Sequence, residues 1–285
     1  MASITSVITP VSGTNFDRPL VLFLAGLSGN FAQWDLVVQS LPAVDADLAY
    51  GAPILPSPAL GERRPTVTGV ASAICSELRR DGRKDVFVVA HSVGSFVALG
   101  MARLAPEMVR SVILINGGLT TVAKFLDHPV REMLVEPRTC LNALRLFLLV
   151  GAPTPRSVKD AISHSERTSR LFLGGLVSDA ALDTQERRDS LMAEAGRPDT
   201  LRALWDNRHH WQEFEGYAGQ ITTKVLFIVG DEDPLGTVKD TQAMAALLPN
   251  AEVQVLKGVG HAAPLETATA VAEAIVKPSA SERPG

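Results

Sequence analysis

Val86-Phe87-Val88-Val89-Ala90 is an unbroken apolar run, and it passes through His91-Ser92-Val93-Gly94-Ser95 into residues spaced as a helix. A buried strand that must become a helix within a few residues forces the residue at the turn into a strained conformation and lifts its side chain clear of the backbone. Ser92 is therefore expected to be a presented hydroxyl. Bulk two positions before or after it would strike the neighbouring turn, and Ala90 and Gly94 are small at both places. An ordinary strand-to-helix connection can look the same, so the serine needs partners elsewhere in the chain.

Two later segments supply them. Lys224 to Gly230 is a second apolar run and is followed by Asp231-Glu232-Asp233-Pro234; Val253 to Leu256 leads into Gly258-Val259-Gly260-His261. A hydroxyl, a carboxylate and an imidazole thus each follow a strand end, in that order along the chain. A serine hydroxyl is a poor nucleophile at neutral pH and needs a base in hydrogen-bond reach. Imidazole titrates near neutrality, so His261 is the candidate base, and it can return the proton to a leaving group. A carboxylate on its other nitrogen would fix the tautomer and stabilise the imidazolium. Asp231, Glu232 and Asp233 are adjacent, and the residues alone leave the choice among them open.

The chain has 285 residues, 46% hydrophobic and 20% charged, enough for one large domain with an insertion. A formal charge of −4 without long basic or acidic runs argues against nucleic acid or an anionic membrane as partner. Cys75 and Cys140 lie far apart and read as two free thiols of a reducing compartment. Met1 to Pro10 has neither a basic start nor an apolar core, and the run Leu144–Val150, apolar but interrupted by Arg145, falls far short of the ~20 residues that cross a bilayer. These features predict a soluble, cytoplasmic protein. Zinc-ligand spacing is absent, and Gly26-Leu27-Ser28-Gly29 is too short for a phosphate loop and lacks its lysine, so no cofactor or metal is expected.

Strands and helices alternate through the first part of the chain, as in a mainly parallel sheet. Strands are expected at Leu20–Leu24, Asp47–Tyr50, Val86–Ala90 and Val109–Asn116, with helices starting at Trp34 and spanning Val67–Arg80 and Val93–Leu104. Few residues precede Leu20, and whether they add one or two antiparallel edge strands is open. From Leu119 to about Tyr217 the alternation stops; Arg131–Val150, Val158–Leu176 and Asp183–Trp205 read as helices broken by Gly- and Pro-rich turns. Lys277 to Gly285 reads as a frayed tail.

Four motifs, taken together, resemble the α/β-hydrolase fold family, in its small lipase- and esterase-like form with a helical cap. They are Phe23-Leu24-Ala25-Gly26-Leu27-Ser28-Gly29 with Trp34 behind it, the Ala90–Gly94 elbow, Gly230-Asp231-Glu232-Asp233-Pro234, and Gly260-His261-Ala262-Ala263-Pro264-Leu265-Glu266. The resemblance runs from about Pro19 to Val276. It implies an α/β fold with a mainly parallel central sheet flanked by helices. The core would be residues 1–118 and 218–277, the cap insertion 119–217 and the tail 278–285.

For the site, the resemblance implies Ser92, His261 and Asp233 as catalytic residues, since the family's carboxylate stands three residues after the strand-ending glycine. Backbone N–H groups of Leu27 and Val93 would form the oxyanion hole, with Ser28 or Asn30 as lesser candidates. Ala25-Gly26 stands where relatives usually carry His-Gly, which weakens the support of that loop. The apolar cap residues suggest a hydrophobic acyl or ring site, with Ala25, Ser28, Phe147, Leu148 and Phe172 as pocket candidates. His91 is expected to pack beneath the elbow, and His128, His209 and His210 to sit at surface or hinge positions. A serine at the elbow excludes the alkyl-ester chemistry of family members that carry aspartate there. What remains is hydrolysis of an ester, lactone or thioester of a small to medium apolar molecule. C–C bond hydrolysis or elimination by the same residues, or a receptor role, are the alternatives.

Overall fold

The computed structural model describes residues 8–12, 18–26, 31–41, 46–51, 66–193, 202 and 205–281. Seven strands form one sheet: β1 (Ile8–Ser12), β2 (Leu20–Leu24), β3 (Asp47–Gly51), β4 (Val86–His91), β5 (Val109–Ile115), β6 (Lys224–Gly230) and β7 (Ala251–Leu256), in the order β1-β3-β2-β4-β5-β6-β7. All neighbours run parallel except β1 and β3. Among the described residues before Leu20 there is one antiparallel edge strand, β1. Pro10 lies in it and has no N–H to offer a ladder, which an edge strand tolerates and a central one does not.

Parallel strands covered on both faces have no polar side to alternate with, so they read as continuous apolar runs. The two faces still divide by parity. Leu20, Leu22, Leu24, Val86, Val88 and Ala90 point into one core, against helices α2 (Val67–Arg80) and α3 (Gly94–Leu104). Val21, Phe23, Val89, Ile113 and Ile228 point into the other, packed on Trp34, Val37, Val271 and Ile275. Those last four come from a 3-10 turn at Phe31–Trp34, from α1 (Asp35–Ser40) and from the C-terminal helix.

Past β5 the helices are α4 (Thr120–Asp127), α5 (Pro129–Val135), α6 (Pro137–Gly151), α7 (Arg156–His164), α8 (Glu166–Leu173), α9 (Gln185–Ala193) and α10 (His210–Tyr217). The core resumes with β6 and adds α11 (Val238–Ala245), α12 (Ala263–Glu266) and α13 (Ala268–Ser281). Three single helices expected between 131 and 205 are thus shorter pieces. Pro137 starts a new helix because a proline forbids helical backbone in the residue before it, and Glu136 sits at φ −130°. Ser165 breaks the next one by capping α8, its side chain accepting from the Thr168 N–H. The third ends at Ala193, and residues 194–201 lie outside the described ones. α4 was not foreseen; Thr121 Oγ1 donates to Asp240 Oδ1 at 2.7 Å, tying it to α11. α13 runs to Ser281, past the expected start of the tail, because Pro278 forfeits one helical hydrogen bond so near the end that the last turn persists; residues 282–285 are outside the described ones. Cys75 and Cys140 are both buried and unpaired, and among the described residues no helix is long and apolar enough to cross a membrane.

The amino end of α3 crosses the end of β2 with no room to spare. A Cβ on Gly94 would stand 2.5 Å from the Ala25 carbonyl oxygen and 3.0 Å from that of Leu24, both main-chain atoms at the end of β2. Gly94→Ala should therefore destabilise the protein by about 1–3 kcal/mol, read as a shift of the denaturant midpoint at unchanged slope. No change in midpoint would mean that the crossing is looser than described.

Candidate active site

Four neighbouring strands, β4 to β7, end on the same side of the sheet, and each delivers one polar side chain just beyond its carboxyl end. Ser92 follows β4, Asn116 follows β5, Asp233 follows β6 and His261 follows β7. Ligand sites of open α/β sheets occupy this side. The chain leaves β4 through Ser92 at φ +52° and enters α3 two residues later. Its strained backbone is held by Ser92 N–H donating to Ile115 O at 2.9 Å and by Ser92 O accepting from Ser95 N–H at 3.0 Å.

The hydroxyl lies 3.0 Å from His261 Nε2. On the opposite side of the ring, Nδ1 is 2.9 Å from Asp233 Oδ2 and 3.0 Å from Oδ1, so it donates to the carboxylate and leaves Nε2 to accept from the serine. Asp233 is fully buried at its side chain. Burial by itself pushes such a carboxyl up; the His261 ring outweighs this, aided by the Leu235 N–H at 2.8 Å and the Asn116 amide at 2.6 Å, so the group is held below its ordinary range. Gly236 N–H, at 3.0 Å, is a further donor. For His261, burial pulls down, but the Asp233 charge and hydrogen bond, with the more distant Glu266, raise it above the ordinary imidazole value. Such a relay can take a proton from a hydroxyl and hold it.

Asp231 lies elsewhere, on the exposed side of the turn, where it pairs with Lys257 Nζ at 3.1 Å and accepts from the Gly258 N–H at 2.7 Å. Two groups missed in the sequence hold the ring and its acid in place. Asn116, at φ +50°, donates through Nδ2 to Asp233 Oδ2 and, at 3.1 Å, to the Gly260 carbonyl. Its only sequence signal was an Asn-Gly-Gly following an apolar strand, since asparagine tolerates left-handed backbone better than most residues. Glu266 accepts from Gly260 N–H at 2.8 Å, Ala262 N–H at 2.8 Å and Ser178 N–H at 3.1 Å, straddling His261. His261 N–H in turn donates to Leu176 O at 3.2 Å. The segment after α8 is thus fastened to the histidine loop.

His91 packs under the elbow, with Trp34 at its edge, and its Nε2 donates to the His261 carbonyl at 2.8 Å. Burial, then the neighbouring His261, push its pKa down to about 3. The Val93 N–H, at the amino end of α3, donates to no group among the described residues. Leu27, Ser28 and Asn30 fall outside those residues.

Above Ser92 and His261 opens a narrow cleft of about 30 Å³, lined by Val93, Phe96, Leu119, Val122, Ala123, Leu126, Leu146, Phe147, Leu235 and His210. Of the pocket candidates Phe147 lines this cleft, and three others lie elsewhere. Ala25 is buried with its carbonyl against Gly94 and does not border the cleft. Leu148 and Phe172 are exposed on an outer groove with Leu141, Leu144 and Leu171. Leu148 follows Phe147 directly, and about 100° of helical rotation separates the two side chains, so one α6 face cannot hold both. The adjacent histidines also part: His209 Nδ1 is 2.7 Å from Asp127 Oδ1 and partly exposed, whereas His210 is buried at the cleft. Among the described residues, no three His, Cys, Asp or Glu side chains converge as a metal site would.

Residues 21–274 match the model of the alpha/beta hydrolase family. The chain belongs to that family and is a hydrolase-class enzyme. It is 25% identical over 249 residues to "Putative carbamate hydrolase RutD" of Pseudomonas savastanoi pv. phaseolicola, covering 86% of this chain and 88% of that one. Among solved structures, Est816, described as an N-acyl homoserine lactone degrading enzyme, superposes with a TM-score of 0.66 at 16% identity and 95% coverage of both chains. A thermophilic esterase from Thermogutta terrifontis does so at 0.59 and 15%, over 96% of this chain and 92% of the other. At such identities the structural likeness is one of fold.

Removing the donor on a buried carboxylate leaves it under-satisfied, at a cost of about 1.5–3 kcal/mol. Asn116→Ala should lower the unfolding free energy by that amount, while Asp231→Ala, at the surface, should stay within about 0.5 kcal/mol. Equal effects in denaturant titrations would remove Asn116 from its supporting role.

Proposed function

We propose that this enzyme is a cofactor-independent serine hydrolase that cleaves an ester, lactone or thioester of a small to medium apolar substrate. The observation that carries the proposal is the unbroken Ser92–His261–Asp233 hydrogen-bond chain opening on an apolar cleft. Ser92 Oγ attacks the carbonyl carbon as His261 Nε2 takes its proton, and the π electrons of the carbonyl move to its oxygen. That oxyanion is received by the Val93 N–H and, by the family pattern, by the Leu27 N–H; each such donor is worth roughly 3–4 kcal/mol at the transition state. Collapse expels the alcohol or thiol, which leaves with the proton from His261. Water then repeats the sequence on the acyl-Ser92, with His261 as base, and frees the acid. Residues 119–217 act as the cap that walls the cleft, since Leu119, Val122, Leu126, Leu146 and Phe147 line it. Carbamates, lactones and esters, the compounds in the names of the relatives, each contain a carbonyl carbon open to such attack, which agrees with this reading.

Ser92→Ala should abolish turnover of p-nitrophenyl esters. Retention of that turnover, with its loss in His261→Ala, would replace acyl transfer by proton-abstraction chemistry. The base works only when neutral. Because Asp233 raises His261 above its ordinary value, kcat/KM should climb with pH through a midpoint above about 6.5 and then level off. In Asp233→Asn the raising charge is gone, so the midpoint should move to lower pH while kcat falls by roughly 10⁴. A pH–rate profile whose midpoint fails to move would leave another acid as the partner.

A further inference from the structure

His210 is a buried titratable group for which the mechanism above has no use. It starts α10, is 8% exposed, and lines the same cleft as Ser92 and His261, where every other lining side chain is apolar. Its orientation is fixed from two directions. Nδ1 donates to the Asn207 carbonyl, and the Asn207 side chain accepts the Val67 N–H at 2.8 Å, fastening this turn to the start of α2 in the core. The ring meets Phe96 edge-on at 4.3 Å between centroids. With the hydrogen committed to Nδ1, Nε2 carries a lone pair, and no group among the described residues donates to it. Burial lowers the imidazole's pKa, so the ring stays neutral and Nε2 stays an acceptor at neutral pH.

Buried ring nitrogens of native proteins are usually satisfied on both sides. An acceptor left open on the wall of an otherwise apolar cleft, on a side chain immobilised by the core, is what a site needs in order to select a ligand donor. We infer that His210 is a specificity-determining residue whose Nε2 accepts a hydrogen bond from an N–H or O–H on the substrate, away from the carbonyl attacked by Ser92. The inference deepens the reading above and rests on it: the substrate class narrows from apolar acyl compounds to those that carry one such donor, as an acylamino or hydroxyacyl compound does.

The test uses p-nitrophenyl esters whose acyl chains end in an acetamido group, with two to five methylenes as spacer, each matched to an analogue in which CH2 replaces the N–H. At one spacer length the wild-type enzyme should favour the N–H member in kcat/KM by about 3- to 10-fold, the range of one neutral hydrogen bond. The ratio should fall to about 1 in His210→Phe, which keeps a ring of similar size, and recover in part in His210→Gln, which restores an acceptor. A ratio near 1 at every spacer in the wild type overturns the inference, as does a preference that survives in His210→Phe. Thermal unfolding of the variants identifies any that fail to fold, and the wild-type ratio then decides alone. Calorimetric binding of the same pairs to Ser92→Ala separates the two claims. Absence of ester turnover in wild type would sink the hydrolase reading, yet tighter binding of the N–H member would still uphold His210, and equal binding would still refute it.

Discussion

A carboxylate with no access to water anchors this site. Ionised and alone in such surroundings, Asp233 would be costly enough to take up a proton and lose its charge. It stays below its ordinary range because donors from three separate pieces of chain converge on it: Asn116 after β5, the Leu235 and Gly236 amides after β6, and His261 after β7. Removing any one of these pieces shifts the charge, and with the charge the tautomer and basicity of His261. Three adjacent strand ends must therefore sit in register for the imidazole to face Ser92.

The backbone bears a matching cost. Ser92 and Asn116 are the two non-glycine residues with positive φ among the described residues, and they stand at the ends of neighbouring strands. A left-handed conformation at such residues costs of order 1–3 kcal/mol each and persists where the surroundings over-determine it. Here they do. Ser92 N–H is tied to the Ile115 carbonyl, Asn116 N–H to that of Ile228, and Gly94 is wedged against the end of β2. Each strained turn thus leans on the next strand, and the sheet core beneath supplies the stability that both consume.

The helical segment between β5 and β6 is bonded directly to this frame. Leu176 O accepts from the His261 amide, and Ser178 N–H shares Glu266 with Gly260 and Ala262. A Cβ on Gly260 would come within 2.7 Å of the Ser178 nitrogen, so the two loops pack in direct contact. The position of this segment and that of the histidine are tied by these bonds. Asn207 makes a second tie, from the turn that presents His210 to the first residue of α2.

Local chemistry made much of this legible in the sequence. Continuous apolar runs marked the central strands, and the expected spans Val67–Arg80 and Lys224–Gly230 coincide with α2 and β6 because a capping threonine and closing glycine bound them. Ser92 and His261 could be singled out since each follows its own strand within a few residues, whereas Asp233 was set apart from Asp231 and Glu232 only by the spacing that the family resemblance implies. Asn116, Glu266 and His210 could not. Their roles depend on which atoms of distant segments face them, and periodicity carries no record of that. Leu148 and Phe172 show the same limit from the other side: an apolar residue in an amphipathic helix declares that it has a face, but only packing decides whether that face meets the cleft or the solvent. The sequence by itself determined the central strands, the helices α2 and α3 between them, and the serine and histidine beyond their strand ends, because those are written in neighbouring residues. The tertiary structure alone decided which of those groups meet, how the carboxylate keeps its charge and that His210 is buried at the cleft, because hydrogen bonds and desolvation act across space between residues far apart in the chain.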